Sequence, residues 1–429
     1  MSLSYLSRSS RTTAANPTWT SAVSRACGRR ATSDEHRPRA DEGNKIVMTM
    51  TTANVWVGKN RFERIEVPLP APPDEGLLLE VTANGICGSD RHFVASDPTV
   101  PMVLGHEIVG TILAFGASHS RLDAAGEPLG EGDTVALFPW VPCLRCWGCR
   151  RFGPGATTCS NAFVYGVPPE AIGLEPLSRN GGAHQPTLTG GFGKHVAVQP
   201  GTYLWRVPDH VPARVASLLD PLAVAVRGVN IAKTPAGVPE EVLTFDSTAV
   251  ILGAGAVGLL TGLVLRHLGI GIVVVSGSRA SRLDAARDIG MDVVIDTAEL
   301  DAAQRREAVL DLTHGLGADI VIDAANHPAA LGEALSMVRR LGTVVEVGNI
   351  VPGDVGVSID PAKDICQRNV RLFGMSFNPP RSYSEAMAML RKHPNIPFER
   401  LITHSYSFDH LDQAFGDLAG DAVKVTLTA

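Results

Sequence analysis

The run Thr248-Ala249-Val250-Ile251-Leu252-Gly253-Ala254-Gly255-Ala256-Val257-Gly258 decides the fold. Its first five residues read as a short buried strand. The glycines that follow have the spacing G-x-G-x-x-G. Gly253 permits a tight turn, Gly255 lets a pyrophosphate approach the backbone, and Gly258 allows a helix to pack closely on the strand. Residues 257–268 then carry helical periodicity, and 272–276 form a second apolar run. Strand, glycine turn, helix and strand in that order point to dinucleotide binding. Gly253, Gly255, Ala256, Val257 and Gly258 form the expected cradle, because N–H groups at a helix N-terminus favour phosphate.

Working outward, residues 214–374 alternate apolar strands with amphipathic helices. Strands read at 248–252, 272–276, 293–296, 320–323, 343–347 and 371–374, and helices at 257–268, 281–289, 303–313 and 329–340. Six strands joined by crossovers make a doubly wound parallel sheet, an α/β fold. The end of the second strand bears on cofactor choice. NAD sites place Asp or Glu there, on the ribose 2′-hydroxyl. Here the stretch is Val275-Ser276-Gly277-Ser278-Arg279, with no acid before Asp284. Ser276 and Ser278 can donate hydrogen bonds, Gly277 leaves room, and Arg279 can pair with a 2′-phosphate. NADP(H) is therefore favoured over NAD(H). The competing reading makes Arg279 a solvated surface charge and admits NAD.

Upstream, from 55 to 207, β-rich runs at 76–82, 107–113, 133–138 and 194–198 lie between Gly and Pro turns. That is the pattern of a β-barrel-like domain. A helix at 384–392 and short strands follow residue 378. The expected organisation is an extension at 1–50, a first barrel segment at 51–212, the cofactor domain at 213–377 and a return to the barrel domain at 378–429. Cys143, Cys146, Cys149 and Cys159 form C-x2-C-x2-C-x9-C. Four thiolates so placed can surround one zinc at about 2.3 Å, and they leave no vertex for substrate, so this ion would be structural. Four unligated thiols and an iron–sulfur cluster are the alternatives. A disulfide framework would spread its cysteines along a short secreted chain.

Charge and hydropathy exclude other classes. Residues 1–50 hold eight Lys/Arg against four Asp/Glu, and the remainder thirty against forty. An acidic body argues against a nucleic-acid surface. The uncharged run 247–265 has the length of a membrane span. Its four glycines, however, sit at βα-turn spacing, so no membrane contact is expected. Residues 1–33 carry five arginines, many Ser and Thr, and no acid. This is the composition of an organelle transit peptide. The other reading is an over-long start, with Met48 or Met50 as the first residue. No secretory signal is visible, and a cytoplasmic location is expected.

In order along the chain come Gly85-Ile86-Cys87-Gly88-Ser89-Asp90, Gly105-His106-Glu107, the four-cysteine lobe, Gly190-Gly191-Phe192-Gly193 and the glycine-turn sheet. Over about residues 52–429 the chain resembles the zinc-dependent medium-chain dehydrogenase/reductase superfamily, with a closer likeness to its polyol-type members. The resemblance implies a GroES-like catalytic domain carrying the zinc lobe, a Rossmann cofactor domain, and a homodimer or homotetramer. It implies two zinc ions, one structural and one catalytic. Cys87 and His106 match catalytic ligands, and Glu107 matches a neighbouring carboxylate that ligates or exchanges with water. Asp220, in Leu219-Asp220-Pro221, fills a place where relatives carry Cys or Glu. One methylene shorter than Glu, it would bind through water, or instead cap a helix ahead of Pro221. Ser89 and His92 match a proton relay, i and i+3 on one helix face. The loops 324–326, 348–350 and 375–377 would flank ribose and nicotinamide.

The activity implied is reversible hydride transfer between a small or medium alcohol, secondary or polyol-like, and a nicotinamide cofactor. The alternatives are a non-catalytic dinucleotide-binding homologue and a reductase acting only on carbonyls. Cys87 as a buried thiol, His106 as a core histidine and His92 as an exposed helix histidine are the plainer readings of those residues. Two departures stand out. The last cysteine gap holds nine residues where relatives commonly have seven, and 161–189 is a long segment that either caps the cleft or is a surface insertion. Phe93, Phe138 and Trp140 near the motifs read equally as pocket wall or barrel core.

Overall fold

Leu77, Leu79 and Val81 alternate with Leu78 and Glu80, and this period of two puts the first three on one face of a strand. They are fully buried with Ile108, Ile112, Val135 and Val196. In the computed structural model this is β3 (Leu77–Ile86), which follows the hairpin β1 (Met50–Gly58) and β2 (Arg61–Pro68). Next come α1 (Gly88–Val94), β4 (Met102–Val103), β5 (Glu107–Phe115), β6 (Thr134–Leu137), β7 (Trp140–Val141) and α2 (Trp147–Phe152). β8 (Phe163–Val164), β9 (His195–Val198) and β10 (Leu204–Arg206) follow, and α3 (Ala213–Ala216) and α4 (Leu219–Ala232) lead away. The structure describes residues 49–155, 159–169, 188–233, 243–350 and 355–429, all within one compact unit, Met48–Ala429. The readings placed on residues 1–48, and most of the 161–189 segment, lie outside the described residues.

The uncharged run 247–265 becomes β11 (Thr248–Leu252), the glycine turn and α5 (Ala256–His267). Then follow β12 (Ile272–Gly277), α6 (Ala280–Asp288), β13 (Val293–Asp296), α7 (Ala302–Leu312), β14 (Ala318–Asp323), α8 (Ala329–Met337), β15 (Val338–Glu346) and β16 (Arg371–Gly374). All six strands are parallel, in the order β13-β12-β11-β14-β15-β16. The order reverses between β11 and β14, which opens a crevice at their carboxyl ends. Two of the motif's glycines, Gly253 and Gly258, are required by backbone conformation and close approach. Gly253 has φ +104°, and a Cβ on Gly258 would lie 1.9 Å from the Gly253 carbonyl oxygen.

One expected element is shorter. The helix read at 329–340 stops at Met337, because Val338 is extended and pairs with Ala318 in the parallel ladder. Arg339 Nε donates to Asp319 at 2.7 Å and holds that extended turn.

The chain finishes with α9 (Pro380–Lys392), β17 (Ile402–Ser407), α10 (Leu411–Ala419) and β18 (Lys424–Thr428). β18 inserts antiparallel beside β3, which completes the order β10-β6-β5-β3-β18-β17, with β9 also on β3. The barrel sheet therefore needs β18, which joins β3 to β17.

Asp323 and Glu346 stand side by side at the carboxyl ends of β14 and β15. Asp323 accepts the Ala325 N–H, and Glu346 those of Gly348 and Asn349, so the pair holds two loops over the crevice. Burial, then the Glu346 charge, raises the Asp323 pKa from 3.8 to about 8. An unfolded chain loses this proton at low pH while the fold retains it, so stability falls as pH rises through that window. Denaturant midpoints at about pH 6 and about pH 8.5 should show the loss in the native sequence. Asp323→Asn, which has no proton to lose, should flatten it.

Candidate active site

β3 ends at Ile86, and Cys87 takes the N-cap position of α1. The fully buried Asp90 accepts the Cys87 N–H at 3.0 Å and faces His106 Nδ1 at 3.5 Å. Nε2 of that ring is left as the ligand atom, a usual second-layer arrangement for a metal-binding histidine. Burial alone would lower the His106 pKa, but the Asp90 carboxylate and the Cys87 sulfur overcome it and hold it well above the usual range. His106 immediately precedes β5, Glu107 opens it, and the register sets Glu107 opposite Gly85. One ligand atom each from Cys87, His106 and Glu107 thus falls within 4.8 Å of the others. Thiolate, imidazole and carboxylate with an open fourth position is a catalytic zinc donor set. Both Glu107 oxygens are buried and face the Lys424 ammonium, so the fit to such an ion rests on the chemistry of the three donors together.

Lys424, which the sequence reading missed, sits on β18 inside this group. Its ammonium donates to Glu107 Oε1 at 2.6 Å and to the Ile86 carbonyl at 3.0 Å. Both residues are only 2% exposed. The pair explains a motif glycine, since a Cβ on Gly85 would lie 1.8 Å from Glu107 Oε2. A lysine amid the apolar run Val423-Lys424-Val425 was the available signal.

Asp220 is less simply placed. The helix cap is Leu218, so Asp220 lies inside the first turn of α4 and does not cap it. It lines the same cavity as the three donors but stands outside their close group. Its Oδ1 accepts the hydroxyl of Tyr383, a buried residue of α9 that sequence reasoning also missed.

A single cavity of about 1480 Å³ gathers most of the expected residues. Cys87, Ser89, His92, His106, Glu107 and Asp220 line one end, and Gly253, Gly255, Ala256, Val257 and Ser276–Arg279 line the other. Gly258 packs behind the turn. The loops at 324–326, 348–350 and 375–377 each contribute to the wall. His92 Nε2 lies 2.6 Å from Asn326 Nδ2, which joins α1 to the loop after β14. Burial, then Arg91, lowers the His92 pKa, so the ring is a neutral proton acceptor near pH 7. Trp140 and Phe93 reach the cavity, and Trp140 packs on Phe377 at 4.1 Å between centroids. Phe138 is wholly core.

At the cofactor end, Arg91 and Arg282 join Arg279. Burial, then the charges of Arg279 and Arg91, lowers the Arg282 pKa to about 10. Arg279 and Arg282 also bond the carbonyls of Ala419 and Ala422. Gly277 has a nearer reason than leaving room for a phosphate, because its Cβ would meet that of Ala254 at 2.8 Å.

The four cysteine sulfurs of the lobe also lie within 4.8 Å of one another, and Cys159 joins the group despite the longer gap. All four are free thiols. Bonds of about 2.3 Å to one ion require sulfurs about 3.8 Å apart, which this group can meet. Backbone N–H bonds from Cys149 and Ser160 pull the Cys146 pKa down to about 6.

Comparison with known proteins agrees. Residues 73–209 match the alcohol dehydrogenase GroES-like domain, and 256–392 the zinc-binding dehydrogenase domain. The chain belongs to the zinc-dependent medium-chain dehydrogenase/reductase superfamily. It is 29% identical to 5-exo-hydroxycamphor dehydrogenase of Pseudomonas putida, over 86% of this chain and 95% of that one. It is 26% identical to sorbitol dehydrogenase of Bacillus subtilis, over 81% and 88%. An alcohol dehydrogenase structure from Thermotoga maritima superposes with TM-score 0.76 at 26% identity, covering 89% and 99%. The dehydrogenase is an oxidoreductase acting on CH–OH groups with zinc and a nicotinamide cofactor. Among the described residues no helix is long and apolar enough to cross a membrane.

Lys424→Met in the dehydrogenase leaves a buried carboxylate without its partner. The loss should be about 3–5 kcal/mol of unfolding free energy, read from the urea midpoint. A midpoint within error of the native one would show that Glu107 is neutral in the fold.

Proposed function

We propose that this dehydrogenase reversibly oxidises a small or medium-sized secondary alcohol with NADP(H). In this reading Cys87, His106 and Glu107 hold a catalytic zinc, and the four cysteines of the lobe hold a structural one. The observation that carries it is the single cavity, which sets the three donors, Ser89 and His92 at one end and the glycine turn at the other. When bound, zinc acidifies the alcohol hydroxyl and polarises the carbonyl, and the nicotinamide accepts or returns the hydride.

The chain's own groups do the rest. Ser89, nearly buried on the cavity wall, accepts the hydroxyl proton. The neutral His92 receives it on the way to solvent, with Asn326 orienting the ring. Phe93, Trp140 and Phe377 exclude water from the reacting end and suit an alcohol with an apolar body. The gathering of Arg91, Arg279 and Arg282, with no acid at the end of β12, supports a 2′-phosphate at that end. Exposed Leu372 and Phe373 on the edge strand β16 support assembly into a homodimer or homotetramer.

Parallel fluorescence titrations with NADPH and NADH test the cofactor. NADPH should bind tighter by about tenfold or more, the scale of a charged hydrogen bond, and Arg282→Ala should remove most of the difference. Equal or tighter NADH binding in the native enzyme overturns the phosphate reading. Separately, Cys87→Ala should abolish alcohol oxidation while leaving the melting temperature nearly unchanged. Turnover at a native rate would sink the catalytic-zinc assignment.

A further inference from the structure

Three donors and one open vertex make a working zinc site, and a fourth protein ligand closes it. Cys87, His106 and Glu107 already supply three. Asp220 projects into the same cavity with a carboxylate that would make a fourth. It stands outside the close group, and the reason is visible on its other side. The Tyr383 hydroxyl donates to Asp220 Oδ1.

Tyr383 has little freedom to do anything else. It is fully buried near the start of α9. Its ring stacks on Trp205 at 5.3 Å and 22° and meets the edge of Phe138 at 4.8 Å and 87°. Trp205 is itself anchored through Nε1 to Ser384 Oγ at 3.1 Å. Asn230 of α4 donates to Glu385 of α9 and ties the two helices that carry the pair. An aromatic box therefore aims one phenol at one carboxylate. Side-chain length completes the case. Asp lacks one methylene of Glu, about 1.5 Å of bond, and the phenol holds what reach remains.

We propose that Tyr383 is a positioning residue that keeps Asp220 out of the metal's ligand set. Asp220 then serves as an outer acceptor for a hydroxyl of substrate or water in the cavity, and the fourth vertex stays open. This rests on the zinc reading of Cys87, His106 and Glu107.

Cobalt-substituted enzyme reads ligation directly. The Cys87→Ser spectrum is subtracted to remove the cysteine lobe's contribution. Asp220→Asn should retain cobalt against a chelator and keep the native difference spectrum, while its KM for alcohol rises about tenfold, the scale of a lost charged hydrogen bond. Asp220→Glu should change the spectrum as the longer carboxylate reaches the ion. Tyr383→Phe should shift the spectrum towards that of Asp220→Glu, and adding Asp220→Asn to Tyr383→Phe should restore the native one. Loss of cobalt from Asp220→Asn would show Asp220 to be a ligand and overturn the proposal. A native spectrum in Tyr383→Phe would reduce Tyr383 to a packing residue and do the same. Absence of any Cys87-dependent cobalt signal in the native enzyme would instead refute the zinc reading beneath it.

Discussion

A lysine and a glutamate that see almost no water hold the catalytic centre to the last strand of the chain. Glu107 on β5 and Lys424 on β18 meet across β3, above a glycine that has no side chain to obstruct them. Charges so deeply buried persist only when balanced. Cys87, Glu107, Asp220 and the buried Asp90 gather around one buried ammonium, that of Lys424. The Lys424–Glu107 pair thus ties the wall of the proposed metal site to the barrel sheet.

The cofactor end obeys a different constraint, the close packing of backbone on backbone. Gly253, Gly258 and Gly348 each stand where a Cβ would collide with a neighbouring main chain. The turn and the loops of the crevice are therefore shaped by main-chain contact, and the turn sets the N-terminus of α5, where phosphate is favoured, on the cavity wall. The link between His92 and Asn326 joins this rigid crevice to the metal end. The proposed proton path and the cofactor platform share this contact.

Much of this was legible because its signals are local. Apolar periodicity and the glycine spacing placed all six strands of the parallel sheet, and Cys87, Ser89, His106 and Glu107 lie in two short motifs, with His92 just beyond the first. What escaped is long-range. Tyr383 reaches Asp220 across 163 positions and Lys424 reaches Glu107 across 317. Neither residue sits in a pattern that names its partner, since a tyrosine on an amphipathic helix reads as core and a lysine in a short strand reads as an edge charge. Arg91 and Arg282 were hidden similarly, because a surface-looking arginine declares its role only when the fold brings another beside it. The shortened helix at Met337 shows the same limit, with a strand ladder overriding a helical pattern at Val338.

The order of strands in the barrel sheet carries a consequence for how the chain is made. The cofactor sheet is built from one continuous stretch, Thr248 to Gly374, and a nascent polypeptide can complete it as it emerges. The barrel cannot be finished that way. Its strand β3 waits for β18, and Lys424 bonds a carbonyl 338 positions earlier. The proposed metal donors are translated well before β18 and remain without their buried partner until it has left the ribosome. Completion of the barrel therefore follows that of the cofactor sheet, and a translation product interrupted before β18 can hold a formed nucleotide platform beside an unfinished barrel.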